Sequence, residues 1–151
     1  MRVYKTDEDF WEYASKETFL VVPITEHVRK DGGLVVVDEF AKEAAEKYPD
    51  LQKRWGYFIS NNVATPTYRR MEVNLIGLPD RSHYASKPNL ETVESSLYLL
   101  KEVCEENPQY IFYLYGELGG EEFRDSHERI LTGERIILLE RETNEDSVQN
   151  L

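Results

Sequence analysis

Phe19-Leu20-Val21-Val22-Pro23-Ile24 is apolar without a break, which predicts a strand over 18–24 buried on both faces. A slower rhythm follows. Phe40, Ala41, Ala44, Ala45 and Tyr48 recur at helical spacing and predict a core-facing helix over 38–47, stopped by Pro49. Leu90, Val93, Leu97, Leu100, Val103 and Cys104 form one apolar stripe of a helix that begins at Asn89. Residues 71–78 alternate and then become continuously apolar, as a central strand does. Strands are expected over 110–115 and 135–139, with a helix near 122–131 between them. Thr6-Asp7-Glu8-Asp9 reads as a helix start, with Thr6 as N-cap and Asp9 in the reciprocal position, continuing through Phe10, Trp11, Tyr13 and Ala14. Residues 51–54 read as a turn before a short strand, Tyr57-Phe58-Ile59, and 60–67 as a loop.

Strands alternating with helices predict an α/β sandwich whose sheet is mixed and mostly parallel, flanked by helices. Ligands of such sheets sit beyond the carboxyl ends of the strands. Loops over 25–37, 79–88 and 116–121 fall there, and their convergence would define a site.

Composition narrows the classes. The 151 residues suit one domain, over 1–139, with a polar tail over 140–151. A net charge of −11 disfavours a direct grip on nucleic acid and permits a basic protein partner. No apolar run approaches the ~20 residues of a membrane span, and the first residues lack a signal-peptide apolar region. Cys104 is the only cysteine, which fits a reducing cytoplasmic setting. Ten tyrosines outnumber all other aromatic residues together, and tyrosine suits clefts and interfaces that are apolar with a polar tip.

Candidate chemistry concentrates where the first strand meets the first long helix. A strand–loop–helix junction holds phosphates well, because helix N-terminal N–H groups and the dipole favour anions. Lys30-Asp31-Gly32-Gly33 supplies glycine, but Val37, Asp38 and Glu39 stand where a phosphate cradle wants it. Asp38 and Glu39 read best as a helix cap that complements the dipole. Glu26 and His27 at the strand end read as a solvated turn pair rather than an acid–base pair. His27, His83 and His127 lie in three segments without short ligand spacing, so no metal and no cofactor is expected. Cys104 falls on its helix's apolar stripe and reads as buried and inert. Asp125-Ser126-His127 matches a catalytic set in composition only.

Taken in order, these segments resemble the macro-domain family, the ADP-ribose-binding α/β fold, and within it the small phage and bacterial macro-domain-like proteins. The resemblance spans about 18–139. It is carried by Thr25-Glu26-His27, then Lys30-Asp31-Gly32, then Val35-Val36-Val37-Asp38-Glu39, then Tyr48-Pro49-Asp50-Leu51. It continues in Pro79-Asp80-Arg81-Ser82-His83-Tyr84 before the leucine-rich helix and in Gly116-Glu117-Leu118-Gly119-Gly120-Glu121 before Glu122-Phe123. It implies a three-layer macro-like fold and a ligand cleft contacted by Ile24, Thr25, Glu26, Gly32, Gly33, Val37, Arg81, His83, Tyr84, Gly116, Gly119 and Gly120. Tyr84 would stack on a base or ribose and Arg81 would meet an anion, unless His83 and Tyr84 merely brace their loop.

The departures fall on the ligand loops. The family's first-turn asparagine, which contacts the distal ribose, is here Glu26 or His27, and the two glycines of its diphosphate loop are Val37 and Glu39. The branch that removes ADP-ribose uses a lysine where Asp80 or Arg81 stands, and an aspartate near Gly119 or Gly120. Arginine stays protonated and cannot act as an amine nucleophile. The resemblance therefore implies a binding protein for an ADP-ribose-like or other nucleotide-derived ligand, without glycohydrolase activity. The alternative is a ligand-free interaction module, an acidic inhibitor or adaptor for a basic partner. An active ADP-ribosyl hydrolase ranks last.

Overall fold

The computed structural model describes residues 1–63 and 65–142. Its six strands are β1 (Arg2–Thr6), β2 (Thr18–Thr25), β3 (Thr67–Arg69), β4 (Asn74–Arg81), β5 (Ile111–Tyr115) and β6 (Ile136–Arg141). They form one sheet in the order β1-β6-β5-β2-β4-β3. All neighbours run parallel except β3, which pairs antiparallel with β4. The helices are α1 (Glu39–Lys47), α2 (Leu51–Ser60), α3 (Leu90–Glu106) and α4 (Arg124–Ile130), with 3-10 turns at Phe10–Tyr13 and Glu121–Phe123.

β2 explains the three layers. Its side chains alternate between faces, so Phe19 and Val21 enter one core with Val93, Leu97 and Leu100 of α3. Leu20, Val22 and Ile24 enter a second core with Phe40, Ala41 and Ala44 of α1 and with Leu51 and Trp55 of α2. A strand buried on both faces must be apolar at every position, which is the unbroken run seen in the sequence.

Two predicted elements are corrected. The helix start at Thr6 is instead the end of β1. The Thr6 hydroxyl oxygen accepts the Glu8 N–H at 3.0 Å, forming a turn rather than a cap, and only a 3-10 turn follows. β1 was hidden because its first four residues are exposed, so no alternation of burial marks it. The predicted strand at 57–59 is the last part of α2. Leu51, Trp55 and Gly56 are its buried residues, the first two one turn apart, and Tyr57 points to solvent. Gly56 disguised this helix.

Smaller shifts affect other boundaries. β4 begins at Asn74, after a turn closed by Arg70 N–H to Val73 O at 2.8 Å, and runs on to Arg81. Leu90 is 56% exposed and lies off the stripe of α3. β6 continues through Glu140 and Arg141, which pair with Lys5 and Thr6. The rest of the expected polar tail, from residue 143, lies outside the described residues. No helix among the described residues is long and apolar enough to cross a membrane.

Candidate ligand site

The carboxyl ends of β2 and β4 meet through their loops. Buried Thr25 donates its hydroxyl to Val35 O at 2.8 Å and accepts the His27 N–H at 3.1 Å, while the Glu26 N–H bonds Arg81 O at 3.1 Å. These bonds carry His27 to the tip of the β4 loop. Its ring packs edge-on against His83 at 4.4 Å and Tyr84 at 5.3 Å, and the last two rings lie 4.5 Å apart. His83 Nδ1 accepts the Ala85 N–H at 3.1 Å, fixing the ring at the loop turn. The predicted convergence of the first two loops is therefore a three-ring cluster, with Tyr84 half exposed. Ile24 is buried against Gly77 and reaches the site only through its backbone.

Gly32 and Gly33 do different work from a phosphate cradle. Arg29 N–H bonds Gly33 O at 2.8 Å, Gly32 N–H bonds Arg29 O at 2.9 Å, and Gly33 N–H bonds the Asp31 carboxylate at 2.9 Å. That last bond holds the Asp31 carboxyl below its usual range. The resulting hairpin tip folds down on α2, where Leu34 and Gln52 exchange bonds of 2.9 and 3.0 Å. Gly56 of α2 lets the Gly32 carbonyl come close.

The α1 N-terminus is occupied by the protein itself. Asp38 Oδ2 accepts the N–H groups of Phe40 at 2.8 Å and Ala41 at 3.3 Å. Burial pushes its carboxyl up from 3.8 to about 6, against the pull of those two N–H groups, with nearby Asp80 and Glu39 adding to the rise. Asp80, itself buried, receives Arg81 Nε at 2.9 Å and Nη2 at 3.3 Å. Arg81 Nη1 donates to Ser86 O at 3.2 Å, and the hydrogen bonds that Arg81 donates to Asp80 raise its pKa. Its guanidinium is thus engaged by its own neighbour.

The third loop is built on glycine. Gly116, Gly119 and Gly120 all have positive φ. A side chain on Gly119 would strike Val93 and Phe123 at 2.8 Å, whereas the space beside Gly120 is open. Buried His127 pins this loop: its Nε2 accepts the Leu118 N–H at 2.8 Å, and Nδ1 donates to Phe123 O at 2.7 Å. Burial lowers its pKa and keeps the ring neutral.

Lys5, Arg124, Glu140 and Arg141, missed in the sequence, gather with the predicted 116–121 loop at the carboxyl ends of β1, β5 and β6. A cavity of about 550 Å³ is lined by Lys5, Gly116, Glu117, Glu121, Arg124, Glu140 and Arg141. Another, of about 350 Å³, shares Arg141 and adds Asp7, Glu8, Asp9, Phe10, Tyr115 and Glu142. Arg124 is tied to Glu140 at 2.8 Å, Glu128 at 3.0 Å and Glu117 at 3.6 Å. Phe10, Phe40 and Tyr115 form an aromatic wall with ring centres 4.8–5.6 Å apart. A helix cap at Thr6 would have taken Lys5 and Asp7 away from this end. The β-prone Val3-Tyr4 was the available signal. Among the described residues, no group of three or more histidine, cysteine, aspartate or glutamate side chains is placed to hold a metal.

No protein-family model and no curated protein matches the sequence. Solved structures do match. The macrodomain of Thermus aquaticus DarG superposes with a TM-score of 0.70 at 15% identity, covering 93% of this chain and 98% of that one. Thermosipho africanus DarTG, solved in complex with ADP-ribose, gives 0.71 at 15% identity over 93% of this chain and 42% of that one. A macrodomain protein from Streptomyces coelicolor gives 0.66 at 13% identity over 95% and 100%.

The chain has the macrodomain fold. Within it, the twelve residues predicted to line the cleft separate into groups. His83 and Tyr84 gather with His27 at one end, and Gly116 lines the cavity at the other. Val37 immediately precedes the Asp38 cap. Gly32, Gly33 and Gly119 serve packing and turns, and Glu26 opens onto a different cavity beside β4. A macrodomain-fold chain with this arrangement keeps open space beyond its central strands and closes the helix N-terminus with a carboxylate.

Proposed function

We propose that the chain is a macrodomain-fold binding protein for an ADP-ribose-like or other nucleotide-derived ligand, without glycohydrolase activity. One observation carries the reading: two cavities sharing Arg141 open at the carboxyl ends of the parallel strands, between an aromatic wall and a glycine loop. Support comes also from the ADP-ribose bound by the DarTG neighbour. Lys5 and Arg141 would meet anionic groups, and Tyr115, backed by buried Phe10, a base or ribose. Asp38 would weaken a diphosphate by holding the N–H groups such a ligand would use. Asp80 and Arg81 argue against hydrolysis, since they form a closed ion pair where a reactive amine would be needed.

Calorimetry with ADP-ribose, ADP, nicotinamide dinucleotide and cyclic nucleotides tests this. A saturable heat with one of them, reduced by Gly120→Glu and by Tyr115→Ala, is expected. Absence of heat with all of them at millimolar concentration would sink the proposal.

A further inference from the structure

β3 covers only part of β4. Its three residues pair with Asn74, Leu75 and Ile76, and Gly77 N–H still reaches Pro66 O at 2.8 Å. Beyond that point, among the described residues, β4 has no strand on its outer side. Pro79 offers no N–H there, and its carbonyl accepts the Ser96 hydroxyl at 2.5 Å, so this edge is closed to another strand. What remains is a cavity of about 360 Å³ between α2 and α3.

Its walls have a consistent character. Ile59, Pro79 and Leu99 supply apolar surface, and Asn62 and Thr92 supply uncharged polar groups. Two carboxylates come from separate segments: Glu26 from the turn after β2 and Glu91 from the first turn of α3. Among the described residues, no lysine, arginine or histidine lines the cavity, and neither glutamate is in a salt bridge. The dipole of α3 would oppose a cation, but Asn89 already caps the Thr92 N–H at 2.9 Å and Glu91 adds negative charge to that turn.

We propose that this cavity receives a basic side chain, arginine or lysine, of a partner protein. The methylene stem lies on the apolar walls while the cationic head meets Glu26 and Glu91. An anionic group would face two carboxylates and find no base. A net charge of −11 draws basic partners and repels acidic ones. The inference rests on the charge and shape of this cavity and stands apart from nucleotide binding at the ends of β1, β5 and β6.

The test is a backbone-amide NMR titration of the full chain with acetyl-Ala-Arg-Ala-amide, with its lysine counterpart, and with a citrulline peptide as uncharged isostere. Saturable shifts centred on Glu26, Asn62, Glu91 and Thr92 are expected from arginine or lysine, the stronger of the two naming the preferred cation. Citrulline should bind at least about tenfold more weakly. The exposed double change Glu26→Gln with Glu91→Gln should weaken the charged peptide by about tenfold, whereas Glu46→Gln with Glu105→Gln, elsewhere on the surface, should leave it unchanged. Equal binding of citrulline, equal weakening by the control pair, shifts centred elsewhere, or no saturation at millimolar peptide would each overturn the proposal.

Discussion

Gly56 of α2 lies so close beneath Gly32 that a Cβ on Gly56 would overlap the Gly32 carbonyl oxygen and stand 3.1 Å from the Leu34 nitrogen. Both obstacles are backbone, which cannot swing aside. Gly56→Ala should therefore destabilise the protein by about 1–3 kcal/mol, although alanine is the better helix former by about 1 kcal/mol. Urea denaturation measures it. An unchanged or higher midpoint would mean that the 29–34 hairpin is not seated on α2.

Asp38 sets an unusual pH dependence. Its folded pKa, about 6, lies above the ordinary 3.8, so the folded state holds the proton more tightly than the unfolded chain. Its contribution is present below about pH 4 and is lost as pH rises through 6, at a cost on the order of 3 kcal/mol by pH 8. An asparagine in its place would cap α1 equally well without ionising. Asp38→Asn should hence be at least as stable as the parent at pH 8 and show no advantage at pH 5. Denaturation midpoints at both pH values decide this, and a large loss at pH 8 would contradict it.

The same substitution bears on ligand affinity. Removing one carboxylate from the α1 N-terminus should strengthen ADP-ribose binding by about 1 kcal/mol, roughly fivefold. Calorimetry on the two proteins side by side provides the comparison. Equal affinities would place the diphosphate away from α1.

His127 works in the opposite direction. Its folded pKa is lowered by burial, so its stabilising contribution is full above the unfolded value of 6.5 and fades as pH falls toward the folded pKa. His127→Ala strands the Leu118 N–H and leaves a void, for an expected loss of about 2–4 kcal/mol at pH 7. The parent's advantage over that variant should shrink at pH 5. A constant difference across pH would show that the ring stays uncharged in both states or does not pin the loop.

Cys104 offers a simple check of the core. It is 4% exposed, and burial raises its thiol pKa. An aromatic disulfide reagent should label it slowly in native protein and at once in denaturant. Rapid native labelling would mean that α3 opens readily.

Much of this architecture was legible in the sequence, for identifiable reasons. β2, α1 and α3 carry enough buried positions for their periods to stand out, and Asp38 and Asn89 are caps of a recognisable kind. What was hidden depended on distant partners. β1 is a strand only because β6 pairs with it, and Gly56 belongs to a helix because the loop around Gly32 needs the space. The site divided the same way. The clustering of His27, His83 and Tyr84 follows from loop order, whereas the cavities around Arg141 depend on β1 and β6 lying side by side.

That last pairing also governs how the chain must assemble. β1 precedes the other five strands in the chain, yet among the described strands its sole neighbour in the sheet is β6, the last of them, with Arg2 set against Ile137 and Thr6 against Arg141. As the polypeptide leaves the ribosome, β1 waits without its partner until the four strands and four helices between them have emerged. Arg2 and Lys5 suit that interval, since a charged, solvent-facing ribbon resists pairing with the wrong edge. Lys5, Glu140 and Arg141 line their cavity together only when this seam closes, so ligand binding there would report that β1 and β6 have joined.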